Sequence, residues 1–156
     1  MRLRKSWREK LEDDKDFPKV VKITGKMSQR WGKGTVAIPA PREVDALMKK
    51  VPRGKVATVN VLRAKIAKKH SASIGCPITT GIFALIAAHA AQEALDAGQS
   101  NVTHYWRTLK AEGEINPKYP GGVERATQFL VAEGHRIVQR GKRFFVADYE
   151  RVLIRK

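Results

Sequence analysis

The sequence predicts a mainly α-helical chain with a small β-hairpin near its end and a basic extension in front. Three observations carry this. Apolar residues recur at helical spacing in four blocks, near residues 41–51, 58–69, 78–96 and 121–135. A final stretch, "HRIVQRGKRFFVADYERVLI", carries a turn at "RGK" between two strand-like runs. The first 40 residues are basic throughout and punctuated by Gly and Pro.

Within that extension, residues 4 to 13 are expected to form a short helix with Trp7 and Leu11 on one side. "KVVKI" reads as a brief strand and "GKGTVAIPAP" as an extended segment. Two interpretations stand for residues 1–40: an arm packed on the body, or a tail that follows a phosphate backbone. The body then spans residues 41–134, with residues 135–156 as a hairpin extension.

In "PREVDALMKKV", Pro41 suits a helix's first turn and Val44, Leu47 and Met48 share a face. "VPRGK" is a turn. Thr58 is placed to cap the next helix, in which Val59, Leu62 and Ile66 face inward and Arg63, Lys65, Lys68 and Lys69 stay wet. The linker "HSASIGCP" precedes a longer helix from about Ile78 to Asp96, with Gly98 as its stop. Two helices joined this way, the first with a basic face, predict a helix-turn-helix. On the longer helix, Ile82, Phe83, Ile86, Ala90 and Ala94 are expected to form the core face. Gly81, Ala84, Ala88 and Ala91 make an opposite strip of small residues, suited to close packing of another helix or to deep seating in a groove. "GGVERATQFLVAEGH" predicts a further helix with Val123, Ala126, Phe129 and Leu130 inward. The terminal hairpin would act as a wing with Arg140, Lys142 and Arg143 on phosphates, or as an edge hairpin with solvated cations.

Composition narrows the partner. A net charge of +16 on 156 residues implies a polyanion. Nucleic acid comes first, an anionic membrane surface second, and ribosomal-type RNA binding is open on charge alone. A hydrophobic fraction of 42% suffices for a core. The single cysteine, Cys76, rules out an intramolecular disulfide and fits a reducing compartment. His89 interrupts the longest apolar run, so no membrane span is expected. "MRLRKSWREK" lacks the apolar stretch of a secretory signal. The expected setting is cytoplasmic, or nucleoid-associated in a bacterium. The four histidines show no zinc-like spacing with Cys76, and no metal or cofactor is expected.

The stretch "HYWRTLKAEGEINPKYPGG" stands out, with its run of three rings ahead of an arginine. Together with "VPRGKVAT", the helix pair and "LVAEG", it resembles the DNA-binding domain of the alkylguanine-DNA alkyltransferases. The likeness covers about residues 41–134 and is closest from Arg107 to Gly134. It implies a winged helix-turn-helix-like domain on double-stranded DNA. Enzymes of that family flip an alkylated guanine and transfer its alkyl group to the cysteine of a Pro-Cys-His-Arg motif. Here His104, Tyr105 and Trp106 match the motif's proline, cysteine and histidine; Arg107 matches its arginine and Glu133 its glutamate. A phenol with an ordinary pKa near 10 is a poor acceptor at neutral pH. The resemblance therefore implies no enzyme, and Glu133 reads as a solvated helix-end carboxylate. Cys76, ahead of the long helix, is expected to be structural, an alkyl acceptor there being the lesser alternative.

The alkyltransferase-like branch, with an aromatic residue in place of the cysteine, fits better. Its members bind alkylated guanine without repairing it and pass the duplex to nucleotide excision repair. By that resemblance Tyr105, Trp106, Arg107, Tyr119, Gly121 and Gly122 form a pocket for a flipped 6-O-alkylguanine. A core aromatic cluster is the other reading of the three rings. Ile78, Thr79, Thr80, Gly81 and Ala84 would make close minor-groove contacts. Lys55, Lys65, Lys68, Lys69 and Arg107 would sit near phosphates. Two family features are missing: no arginine lies between Arg63 and Arg107 to fill the gap behind a flipped base, and Val59 replaces a phosphate-rotating tyrosine. An isoleucine wedge is a physical substitute for the arginine. The competing function is a winged-helix regulator or architectural protein with a lost pocket. No helix suited to dimerisation is evident, so a monomer is expected.

Overall fold

A computed structural model describes residues 5–155. The elements run α1 (Trp7–Glu12), β1 (Lys19–Lys22), α2 (Met27–Trp31), β2 (Thr35–Ile38), α3 (Pro41–Lys49), β3 (Ala57–Thr58), α4 (Val59–Lys69) and β4 (Ile74–Gly75). After these come α5 (Pro77–Asp96), β5 (Thr108–Leu109), α6 (Gly122–Ala132), β6 (Ile137–Arg140) and β7 (Arg143–Val146). The mainly α class with a terminal hairpin is as expected. The predicted helix start at residue 4 lies outside the described residues.

Local chemistry sets most helix ends. Ser6 and Glu9 exchange side-chain and backbone hydrogen bonds in a capping box on α1. Pro41 occupies the first turn of α3. The Thr58 hydroxyl accepts from the Val61 N–H at 3.3 Å and starts α4. At the end of α5, Gly98 adopts φ +88°. The Gln99 N–H then donates back to the Ala94 carbonyl at 3.0 Å, and the helix is sealed.

α5 is the centre of the molecule. By length and composition it could cross a bilayer, yet here α1, α3 and α4 pack against it. Thr80, Phe83, Ala84, Ala87, Ala88, Ala90 and Ala91 are buried, while Ile82 is 48% exposed. Phe83 and Ala90 are buried as expected and the small-residue strip takes the close helix packing, whereas Ile82, expected in the core, lies outside it. The physical reason is the helix's near-uniform apolarity, which leaves periodicity little to discriminate. Alanines let neighbouring helices approach closely, so tertiary contacts chose the alanine side. Val44 and Met48 of α3, Leu62 and Ile66 of α4, and Leu130 of α6 complete the core.

The extension is integral to the body. Backbone N–H groups of Trp7 and Arg8 donate to the Glu93 carboxylate at 3.2 and 3.3 Å, and the Trp7 ring stacks on His89 at 4.4 Å. β1 pairs antiparallel with β2, and β2 pairs parallel with β4 in the connection between α4 and α5. "HSASIGCP", expected as a plain linker, thus contributes a strand. A Cβ at Gly75 would collide with the Arg63 carbonyl, which explains the glycine.

The terminal hairpin turns at "RGK" as expected, with Ile137 opposite Val146 and Arg140 opposite Arg143. It lies against the preceding loop: the Ile115 N–H donates to the Phe144 carbonyl at 2.8 Å, and Arg143 pairs with Glu114 at 2.8 Å. Arg140 and Lys142 remain exposed.

Candidate nucleic-acid interface

Residues 104–134 hold a buried network of rings and charged groups. Tyr105 is fully buried, and Trp106, Arg107 and Tyr119 nearly so. The Tyr105 hydroxyl lies within reach of the Gln92 side-chain oxygen at 3.2 Å and the Pro120 carbonyl at 3.3 Å. The Tyr119 hydroxyl donates to the Thr108 carbonyl at 3.0 Å, and the two tyrosine rings meet edge to face at 5.5 Å. Trp106 stacks on Phe129 at 3.9 Å. These rings pack as the core cluster weighed above, and they do not wall an open space. Gly121 and Gly122 both adopt positive φ, and a Cβ at Gly121 would meet the Arg125 side chain at 2.6 Å. They form the turn into α6.

Arg107 and Glu133 need correction. The guanidinium donates bidentately to Glu133, Nε to Oε1 at 2.9 Å and Nη2 to Oε2 at 2.8 Å. Its Nη1 donates to the Val51 carbonyl at 3.0 Å, and Trp106 Nε1 adds a donor to Glu133 at 3.1 Å. Arg107 is therefore spent inside the protein and is out of reach of a phosphate. Glu133 is a buried, thrice-bonded anion, where a solvated carboxylate was expected. Burial pulls its carboxyl upward, but the Arg107 and Trp106 hydrogen bonds and the Arg107 charge hold it below the ordinary carboxylate value. Burial pushes the Tyr105 phenol above its ordinary value despite the opposing Arg125 charge, and burial raises Tyr119 as well. Neither hydroxyl is a nucleophile at neutral pH.

Open space lies beside this cluster. A groove of about 250 Å³ is lined by Val59, Asn60 and Arg63 of α4, Pro77, Gly81 and Ala84 of α5, and Lys110, Ala111 and Asn116 of the loop after β5. Val59 presents a short apolar side chain on this wall. A Cβ at Gly81 would meet nothing within 4 Å. At the groove's edge, Ile78 and Ile82 are 56% and 48% exposed, one turn apart on α5. Of the predicted close-contact residues, Ile78, Thr79 and Gly81 keep access to solvent, whereas Thr80 and Ala84 are buried. Ile82, Asn60, Ala111 and Asn116 are additions. The signal for Ile82 was its i, i+4 relation to Ile78; the other three are brought together only by the fold.

The cations are arranged unevenly. Lys55 and Lys68 are exposed, Lys65 is half-buried, and Lys69 pairs with Glu43 at 2.8 Å. Arg63 bridges α4 and β4 by donating to the Gly75 carbonyl at 2.9 Å and to Asn60 Oδ1 at 3.1 Å. Cys76 is buried against Ile23 and Val36, and its sulfur accepts from the Thr79 N–H at 3.5 Å. Among the described residues, no three His, Cys, Asp or Glu side chains gather as a metal site.

The fold thus places a groove between α4, α5 and the loop after β5, beside a partly exposed N-terminal half of α5. No protein-family model matches the chain, and no curated protein does. Solved structures do. The crystal structure of S. pombe ATL in complex with DNA matches at a TM-score of 0.53 and 18% identity, covering 74% of this chain and 94% of that one. The structure of S. pombe Atl1 in complex with damaged DNA containing O6-carboxymethylguanine matches at 0.48 and 17% identity, with the same coverage. This chain shares the fold of S. pombe ATL.

Proposed function

We propose that this protein is a non-enzymatic DNA-binding protein of the alkyltransferase-like kind, acting in recognition of alkylated DNA. α5 enters the minor groove by its N-terminal half. Ile78 and Ile82 wedge at a base step, in place of the missing arginine. An extruded 6-O-alkylguanine enters the groove between α4, α5 and the 110–116 loop, with Arg63 and Lys110 at its walls. Lys55, Lys65 and Lys68 hold the phosphates. The observation that carries this is the exposed pair Ile78 and Ile82 beside an open groove of about 250 Å³ that Gly81 lines. Two isoleucines exposed one turn apart on the same helix face, next to a groove, fit a partner that covers them. Retention of the alkyl group on DNA follows from a buried phenol at the family's cysteine position and from Cys76 being packed elsewhere. The protein acts as a monomer on duplex DNA and passes the lesion to nucleotide excision repair.

A paired titration tests this, using one duplex carrying guanine or its 6-O-methyl form, with a Gly81→Leu variant alongside. Gly81 is helical and its Cβ direction is open, so the substitution fills the groove without disturbing the core. Preference for the lesion in the native protein, lost in the variant, is the expected result. Equal affinity for both duplexes favours the second reading, a winged-helix regulator or architectural protein. The complete burial of Tyr105 supports that alternative.

A further inference from the structure

The N-terminal extension divides sharply by charge. Residues 5–16 carry Lys5, Arg8, Lys10 and Lys15 against five carboxylates. Residues 17–41 carry Lys19, Lys22, Lys26, Arg30 and Lys33 and no carboxylate at all. All five of these cations are exposed, and among the described residues none forms an ion pair. In the first segment, by contrast, Lys5 pairs with Asp13 at 2.8 Å and Arg8 with Glu12 at 3.1 Å. A surface lysine ordinarily finds acidic neighbours; a 25-residue segment without one repels itself and gains from a polyanion.

The same segment is bound to the reading head. β2 pairs with β4 through Val36 opposite Ile74 and Ala37 opposite Gly75. The Ser73 N–H donates to the Thr35 carbonyl at 3.1 Å, and the Cys76 N–H to the Ala37 carbonyl at 2.9 Å. Cys76 is the N-cap of α5. β1, which carries Lys19 and Lys22, is the outer strand of the β1–β2–β4 sheet, so these cations lie one strand out from β4 and the N-terminal end of α5 assigned to the groove. α4, with Arg63, Lys65 and Lys68, borders the same β4. From residue 46 to 92 the sequence again contains no Asp or Glu.

We infer that the β1–α2–β2 segment is a second DNA-contacting surface, which grips the phosphate backbone flanking the site read by α5. The inference rests on the DNA-binding function proposed above. It turns the extension from a packing element into part of the footprint, and it assigns Lys19, Lys22, Lys26, Arg30 and Lys33 to phosphates without any base preference.

The test compares three full-length proteins on undamaged duplex by salt titration: the native chain, a variant with these five residues changed to Gln, and a control with Arg136, Arg140, Lys142, Arg151 and Arg155 changed to Gln. Both variants lose the same net charge, and all ten positions are exposed, so folding checked by circular dichroism should be unchanged. The slope of log K against log salt flattens by about 0.9 for each lost phosphate contact. The first variant should flatten by roughly 2 to 4 and the control by less than about 1. Equal flattening in both would reduce the effect to net charge and overturn the assignment. An unchanged slope in the first variant, with normal binding by the native chain, would overturn it while leaving the α5 interface standing. A native chain that binds no duplex would remove the DNA-binding function itself.

Discussion

The inside of the 104–134 region and the outside of the 17–92 region treat charge in opposite ways. Around Tyr105 the buried charges and phenols are matched: Arg107 makes three side-chain hydrogen bonds, Glu133 takes donors from Arg107 and Trp106, and Tyr119 is bonded to Thr108. Along residues 17–92 only Glu43 and Asp45 are acidic, and both are drawn inward by Lys69, His70, Lys49 and Thr103. Satisfied polar groups fix a fold, because breaking them exposes a desolvated charge. Cations without counter-charges are left for something outside the molecule. The buried aromatic region therefore serves as scaffold, and the proposed interface uses the neighbouring open surface.

Substitutions can break this comparison directly, and the largest effect is expected inside. Arg107→Met should cost about 3 to 5 kcal/mol in urea denaturation, since Glu133 is left as an unpaired buried anion. The double variant Arg107→Met with Glu133→Leu should recover much of that loss. A small cost for the single variant would mean that the pair is not structural. The pH dependence sharpens the point. The folded Glu133 carboxyl is held below its ordinary value of 4.5, so the native state binds fewer protons than the unfolded one. Its stabilisation is complete above about 4.5 and is lost as pH falls through the lower folded value. Glu133→Gln should flatten the acid limb of the melting-temperature profile.

On the surface the order of effects reverses. Ile82→Glu should weaken DNA binding by tenfold or more, about 1.4 kcal/mol, while stability changes by less than about 0.5 kcal/mol. Had Ile82 been a core residue, as its spacing suggested, stability would fall first. Tyr105→Phe should cost about 1 kcal/mol of stability through its lost hydroxyl bond and leave DNA affinity unchanged. The smallest effect belongs to Lys68→Gln, which should flatten the salt slope by about 0.9 with no thermal shift, as one phosphate contact requires.

The sequence by itself determined what depends on near neighbours. The Thr58 cap, Pro41 in a first turn, the Gly98 stop and the turn at "RGK" are all local hydrogen-bonding or backbone constraints, and each is where the sequence placed it. So is the pairing of α4 with α5, and so are the charge and the acid-free stretches. Only the tertiary structure decided which face of α5 is covered, because a helix apolar all round can be buried on any side until its partners arrive. It decided that Arg107 turns inward, since Glu133 and Val51 approach from distant positions in the chain. It also made β4 from a segment with no strand signal, because a two-residue parallel pairing draws its hydrogen bonds from residues nearly forty positions away. Local chemistry wrote the elements. Packing decided which charges remain free to meet a partner.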